Sequence, residues 1–403
     1  MTGGARRARL ATGAKWSGLA VLVAAALLFP VVFPNPVTTN YGVFALIFAT
    51  AASAWNVFSG FSGYISLGQA VFFGSGAYAV GIAARDWNVS GAAVFALLPL
   101  AALVGAVIAV PFGLVALRVR RHTFIVVTIA VFFIFQLMAF NFSFTGGSSG
   151  LPAPFLNWQA ASYNNPFYYI ALACTIGIVA VAWLIRRARF GLQLRAIRDD
   201  EDRARGLGVR AMRVKLAAFT LSAAVTGLIG GVWFLYLTQV EPQTGFDPLF
   251  DLSIVLMAFL GGLGTVAGPV LGALIIEPGQ LYLTIRFTNG YYGEILLGAI
   301  FLAVVLFMPR GIIPTGGEWI RRLATRGRSA LPVGEPQAPG RVPGGPEGPQ
   351  QPGPDVGPEA SQNVSAPQAS GRVPRGPEGP QRRPGAEDPP PEASEAPARE
   401  ANR

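Results

Sequence analysis

Five stretches of this chain contain no Asp, Glu, Lys or Arg: residues 16–84, 87–117, 123–185, 216–240 and 252–276. A water-soluble fold of this size scatters charge over every exposed helix face, and charge-free runs of this length leave no such face. The chain has 403 residues, of which 52% are hydrophobic. A helix needs about 20 apolar residues to cross the hydrocarbon core. The pattern therefore predicts an all-α polytopic membrane protein with about ten spans, near 16–33, 41–60, 69–84, 92–117, 123–142, 166–185, 214–237, 249–262, 267–284 and 291–309. The third and eighth are short for a full crossing.

The few charges set the orientation. Arg6, Arg7, Arg9 and Lys15 precede the first span, and Arg118, Arg120 and Arg121 follow the fourth. The thirty residues 186–215, RRARFGLQLRAIRDDEDRARGLGVRAMRVK, hold ten basic and four acidic side chains after the sixth, and Arg310 follows the last. Placing all of these in the cytoplasm leaves Arg85, Asp86, Glu241, Asp247, Asp251, Glu277, Arg286 and Glu294 on the other side, with a net charge of −4. The excess of Lys and Arg predicts both ends in the cytoplasm and an even number of spans. A basic isoelectric point that follows from topology implies no nucleic-acid binding.

The basic start and apolar run at the N-terminus resemble a signal peptide. The run continues past Phe29 and Pro30 to Val32 and Phe33 without a convincing cleavage site, so the expectation is a retained first span. Cys174 is the only cysteine and falls inside a span, which leaves no disulfide framework and no metal cluster. His122, the only histidine, sits at a span end among arginines, a position for solvent or lipid headgroups rather than catalysis.

Two regions follow: a membrane body over 1–314 and a cytoplasmic tail over 315–403. The tail is rich in Pro, Gly, Glu and Arg, and such a composition buries too little apolar surface to offset the entropy of ordering. Disorder is the expectation. It repeats GRVPGGPEGPQ at 340–350 as GRVPRGPEGPQ at 371–381, a sign of low-complexity expansion. Within the body, glycine gathers at 59–81, at Gly227–Gly231 and at 261–273, where Gly264, Gly268 and Gly272 recur every four residues. That spacing lets membrane helices approach closely. Residues 61–69 and 261–269 go further and interrupt their spans with Gly, Ser and Pro. Broken backbone at membrane depth is tolerated only where it is buried in protein or lines a wet cavity, and transporters place such breaks on the substrate route. Ser66, Gln69, Gly264 and Thr265 are therefore the candidates for a translocation path.

Several chemistries are excluded. No GxxxxGK[ST] loop exists, and the chain has just two lysines, Lys15 and Lys215, so it does not bind ATP by that device. No paired carboxylates, Ser/His/Asp set or His/Cys cluster falls in the spans, which argues against a membrane enzyme. An ion-coupled carrier requires ionisable residues at mid-depth. The non-cytoplasmic charges read instead as span-end residues, with Glu277, just before Pro278, the best residue for a proton-coupled alternative. A channel or scaffold without energy coupling is a third class, and it needs no structured cytoplasmic helix.

The charged segment does predict one, at roughly 199–207. Asp199, Asp200, Glu201 and Asp202 suit the positive end of a helix dipole. Asp199–Arg203 and Glu201–Arg205 have the favoured i,i+4 order, and Gly208 is a plausible stop. A short salt-paired helix between two spans is a docking surface for a cytoplasmic partner.

Here the chain resembles a known family. Gly191, the run Arg195-Ala196-Ile197-Arg198-Asp199-Asp200-Glu201, Gly208-Val209, Lys215-Leu216, Phe219, Leu221-Ser222-Ala223-Ala224 and Gly227 are similar to the pattern of branched-chain amino-acid ABC transporter permeases of the Liv type. Ser66-Leu67-Gly68-Gln69-Ala70 with Gly76-Ala77-Tyr78, Thr145-Gly146-Gly147 with Gly150-Leu151, Gly261 to Thr265 with Gly268-Pro269 and Gly272-Ala273, and Pro309-Arg310-Gly311 agree with it. The match runs over roughly 41–313. The resemblance implies a multi-pass cell-membrane permease that pairs with a second, related permease subunit. Two cytoplasmic ATPase subunits, which carry ATP and Mg, and an extracytoplasmic solute-binding protein complete the importer. This chain itself would bind no cofactor or metal. The resemblance places Arg195, Arg198, Asp199, Asp200, Glu201 and Gly208 in the element that couples to the ATPase. It also gives hydrophobic amino acids as the substrate class, with urea or short amides as the alternative. Family members commonly carry small residues after the acidic start, where this chain has Arg203 and Arg205. Truncation after about residue 325 is expected to leave transport intact in an uptake assay, and loss of uptake would refute a dispensable tail.

Overall fold

The computed structural model describes residues 21–156, 158, 163–286 and a few isolated positions between 295 and 313. The expected tenth span and the tail lie outside the described residues, as does the start of the first span. What is described is helical, apart from one two-stranded pairing in which β1 (Leu151–Pro152) runs antiparallel to β2 (Gln239–Val240). After α1 (Val21–Val32) come α2 (Pro36–Trp55), α3 (Gln69–Asp86), α4 (Leu98–Ala116), α5 (Arg121–Asn141) and α6 (Asn164–Arg187). The charged segment folds as α7 (Arg189–Asp199) and α8 (Glu201–Gly206). Then come α9 (Ala211–Leu237), α10 (Pro242–Gly245), α11 (Pro248–Gly261) and α12 (Gly268–Arg286).

Six of these segments are long and apolar enough to cross a membrane: Pro36–Gly60, Gly91–Ala116, Arg121–Asn141, Asn164–Arg187, Ala211–Leu237 and Pro242–Gly261. The chain is a multi-pass membrane protein. The third expected span is the 18-residue α3, which is too polar to join the six and is buried in the body instead. Local signals place the ends. Asn35 caps α2 by accepting the Val37 N–H at 3.0 Å with Pro36 at the first helical position. Asp247 caps α11 through the Leu249 N–H at 2.9 Å, ahead of Pro248.

The body is built around α9, which packs on α2, α3, α4 and α6. Small residues allow this. A Cβ on Gly76 would lie 2.1 Å from the carbonyl oxygen of Gly227, and one on Gly230 would lie 2.1 Å from that of Phe73. Gly105 of α4 meets the Ala223 carbonyl in the same way. The hairpin of α11 and α12 closes on Gly261 and Gly272, whose Cβ positions fall 1.7 Å from the Gly268 carbonyl and 1.8 Å from the Met257 carbonyl. Polar side chains add cross-links between helices, with Thr50 and Thr175 hydroxyls 2.8 Å apart and Tyr236 donating to Asn40 at 2.8 Å. By contrast α4, α5 and α6 expose Leu103, Val107, Val126, Phe133, Leu137 and Leu184, an apolar rim left uncovered among the described residues.

Gly76→Leu is expected to separate α3 from α9 and to cost more than the roughly 1–3 kcal/mol of ordinary overpacking, since backbone is the obstacle. Thermal unfolding in detergent reads this directly; an unchanged midpoint would show that the close approach carries no stability.

Candidate functional site

Three segments meet at one end of the body: the α7–α8 region, the break between α2 and α3, and the turn between α11 and α12. Each break is explained by what fills it. Beyond Trp55 the α2 helix continues as a π-helical turn, Asn56–Gly60, which turns the Asn56 side chain toward the second break. Asn56 Oδ1 accepts the Gly264 N–H at 2.8 Å and its Nδ2 donates to the Thr265 carbonyl at 2.7 Å. Gly264 sits at φ 76°, a left-handed position that suits glycine, and Arg198 leaves no room there for a side chain. Through residues 61–68 the freed backbone is likewise paired. Ser66 N–H donates to Ser59 Oγ, Leu67 N–H donates to Thr128 Oγ1, and the Ser66 carbonyl accepts Trp55 Nε1 at 2.8 Å. Such pairing is obligatory where no water is present.

The charged segment is anchored on these breaks. Arg198 Nη1 donates to the Gly60 carbonyl at 2.9 Å. Arg121 Nη2 donates to the Ile197 and Arg198 carbonyls at 2.6 and 2.7 Å, which completes the C-terminus of α7. Lys215, at the start of α9, is 1% exposed. Its ammonium donates to Glu201 Oε1 at 2.8 Å, to Tyr64 Oη at 3.1 Å and to the Leu117 carbonyl at 3.3 Å, and it lies 4.2 Å from the Tyr64 ring centre. All three ammonium protons are used. Tyr64 donates to Glu201 Oε2, and Arg205 pairs with Oε1 one turn on. One carboxylate thus joins α8, α9 and the first break.

Burial raises the Glu201 carboxyl, but hydrogen bonds from Lys215 and Tyr64 and the charges of Lys215 and Arg205 outweigh it and hold it below the usual carboxylate range. Burial, followed by the bond to Glu201, raises the Tyr64 phenol, which keeps it a donor.

The structure distributes the residues singled out from sequence. The single expected helix at 199–207 is two, because Asp200 is an N-cap: its Oδ1 accepts from the Asp202 and Arg203 N–H groups at 3.0 Å. The Asp199–Arg203 pair is replaced by Asp200–Arg203 at 3.2 Å, while Glu201–Arg205 forms. Gly208 ends the element at φ 86°. Arg198 and Glu201 point into the body. Asp199, Asp202, Arg203, Leu207 and Gly208 are exposed, and Arg195 reaches back to the Arg186 carbonyl at 3.0 Å. Of the residues read as path-lining, Gly264 and Thr265 lie at the Arg198 end, where Thr265 Oγ1 accepts the Gly268 N–H and caps α12. Ser66 and Gln69 lie deeper and are fully buried, with Gln69 Nε2 donating to Ser222 at 2.9 Å. Sequence reasoning missed Asn56, Tyr64, Arg121, Lys215 and Asp251. Lys215 and Asp251 carried a usable signal, each as the last charge before a 25-residue charge-free run.

Broken spans tied to a structured, charged inter-span element define a membrane permease. The chain matches the family described as branched-chain amino acid transport system / permease component over residues 37–305, and it belongs to that family. It is 26% identical to the high-affinity branched-chain amino acid transport system permease protein LivM of Escherichia coli (strain K12), over 73% of this chain and 75% of that protein. It is 27% identical to the LivM protein of Salmonella typhimurium (72% and 74% covered). The autoinducer 2 import system permease protein LsrC of Yersinia pseudotuberculosis is 28% identical over 40% of this chain and 48% of its own length. No solved structure matches.

A depressed carboxyl stabilises the fold above its unfolded-state value and loses that contribution as pH falls through the folded-state value. Wild type is therefore expected to unfold at a higher temperature than Glu201→Gln at neutral pH, with the gap closing as pH drops below about 4. Lys215→Met, which removes the buried partner of the part-buried Glu201 carboxylate while Arg205 and Tyr64 remain, is expected to cost about 1–3 kcal/mol at neutral pH. Equal stability of all three proteins at pH 7 would show that the cluster contributes nothing.

Proposed function

We propose that this chain is the permease subunit of an ATP-binding-cassette importer for branched-chain, hydrophobic amino acids. Family membership and the two LivM relatives support the importer-permease class, and the cargo is proposed from the printed names of those relatives. Urea or short amides are the alternative cargo, and the relation to an autoinducer 2 permease marks how far substrates diverge in similar chains. The importer sits in the cell (cytoplasmic) membrane with about ten spans and both termini inside. It comprises this subunit, a second related permease, two ATPase subunits that hold ATP and Mg, and an extracytoplasmic solute-binding protein.

The observation that carries the mechanism is the double anchorage of the charged segment. Arg198 reaches Gly60 and packs on Gly264, while Glu201 reaches Tyr64 and Lys215. Arg195, Arg198, Asp199, Asp200, Glu201 and Gly208 form the coupling element. Its exposed side meets the ATPase, and its buried side moves the breaks. ATP binding and hydrolysis on the partner subunits displace α7 and α8, and the rigid ties pass that displacement to residues 60–66 and 262–265. Ser66, Gln69, Gly264 and Thr265 lie along the path that opens and closes between outward- and inward-open states. The ATPase biases this equilibrium only through contacts that differ between the two states.

In the assembled importer, Arg198→Ala and Glu201→Gln are each expected to lower uptake and binding-protein-stimulated ATPase activity by about tenfold, equivalent to about 1.4 kcal/mol of coupling. Unchanged values for both activities would reject the coupling role. Uptake of labelled leucine set against labelled urea by the same complex decides the cargo.

A further inference from the structure

A cavity of about 440 Å³ lies between α3, α4 and α5, toward the end of α3 that is away from the first break. Its lining gives it a long axis. Ser75, Ile108 and Phe135 form the inner end, and Asp86, Leu100 and Phe142 form the mouth. Along the chain α3 and α5 run toward the mouth and α4 runs away from it, so all three helices line the slot in matching order. Eleven residue steps of α3 separate Ser75 from Asp86, about 16 Å of helix. One leaflet, half of a hydrocarbon core of about 30 Å, has a similar depth. The slot opens sideways, because α4 and α5 both pack on α3 and scarcely touch one another. Both belong to spans, Gly91–Ala116 and Arg121–Asn141, and they expose Leu103, Val107, Leu137 and Met138.

Size and charge narrow the occupant. The volume of about 440 Å³ spread over about 16 Å is a mean cross-section of about 27 Å², a third of the roughly 80 Å² that a helix about 10 Å across occupies. A partner's helix is too wide for the slot, and a single amino-acid side chain is much shorter than it. One extended hydrocarbon chain fits. The mouth carries both charges. Arg85 Nε donates to Asp86 Oδ1 at 2.8 Å and Arg85 Nη1 donates to the Phe144 carbonyl at 3.1 Å, which fixes the pair at the rim. Both side chains are about half exposed, and among the described residues Arg85 Nη2 and Asp86 Oδ2 are left for a ligand. Trp87 lines the same mouth and is exposed, as tryptophan is at the headgroup level of a bilayer. An empty slot would forfeit its dispersion contacts, so a slot open to lipid is filled by lipid. Apolar burial selects no particular lipid, because the tails are as apolar as the walls. Selection falls to the mouth, where a neutral pair with one free donor edge and one free acceptor suits a headgroup that is itself zwitterionic.

We propose that this slot is a binding site for one phospholipid with an ammonium–phosphate headgroup, of the phosphatidylethanolamine class. One acyl chain lies against α3 between α4 and α5, the phosphate meets Arg85, and the ammonium donates to Asp86. The bound lipid completes the contact between α4 and α5 that the described protein leaves open. The inference is independent of the cargo and of the ATPase partner.

Native mass spectrometry of the purified full chain in detergent tests it, with dioleoyl phosphatidylethanolamine, phosphatidylglycerol and phosphatidylcholine as probes. Wild type is expected to retain one phosphatidylethanolamine per chain, with an apparent affinity about fivefold above that for either of the others, the effect of an exposed ion pair. Asp86→Asn leaves Arg85 unbalanced and is expected to reverse the order in favour of phosphatidylglycerol. Ala79→Trp, which fills the slot from α3, is expected to abolish the one-to-one lipid. Equal retention of the three lipids by wild type, or an unchanged preference in Asp86→Asn, overturns the proposal. So does a one-to-one lipid retained by Ala79→Trp, or displacement of the lipid by free leucine, which would assign the slot to the cargo. Where Ala79→Trp does not accumulate, the wild-type preference and its reversal in Asp86→Asn decide.

Discussion

A helix broken inside a bilayer frees backbone donors and acceptors that water cannot reach, and this constraint organises the whole membrane body. The two breaks, at 61–68 and 262–267, persist because side chains from elsewhere take over the missing helical bonds. Asn56 serves the middle of the second break at Gly264 and Thr265, Ser59 and Thr128 serve the first, Arg198 takes the Gly60 carbonyl, and Asp251 receives the first turn of α3. The substitutes come from four separate elements: the Asn56–Gly60 turn, α5, α7 and α11. The breaks are therefore joints between elements, and displacement of one partner is felt by the other.

This explains the unusual use of charge. A dense charged segment between apolar spans would ordinarily be a solvated loop, held by its flanking helices alone. Here its central side chains face inward. Arg198 and Glu201 are polar struts, and the buried Lys215 gives Glu201 a partner strong enough to offset burial. The outer face retains Asp199, Asp202, Arg203 and the exposed Leu207 for contact with a neighbour. The division lets one short element hold a partner on one side and two helix breaks on the other.

The same logic separates the lateral surfaces. Glycines on α3, α9, α11 and α12 bring backbones together where the body must be rigid, whereas α4, α5 and α6 turn bulky apolar residues outward. Without a hydrophobic driving force between helices in lipid, close packing is the principal adhesive. The body is thus densest around α9, the helix that also carries Lys215.

Sequence by itself determined the solvent. Charge-free runs fix a membrane protein, the four-residue glycine spacing fixes close helix contact, and Gly, Ser and Pro at 61–69 and 261–269 mark the breaks. The ordered motifs from Gly191 to Gly227 indicated the family. Tertiary structure decided what those residues touch. That Arg198 and Glu201 face inward and that Asp251 caps α3 from a neighbouring helix follow from contacts made across more than 130 residues of chain, whereas the Asp200 cap that splits one expected helix into two is local. Periodicity records which face of a helix is apolar. It does not record which distant carbonyl a single arginine or lysine will find, because that choice is made only when the helices pack.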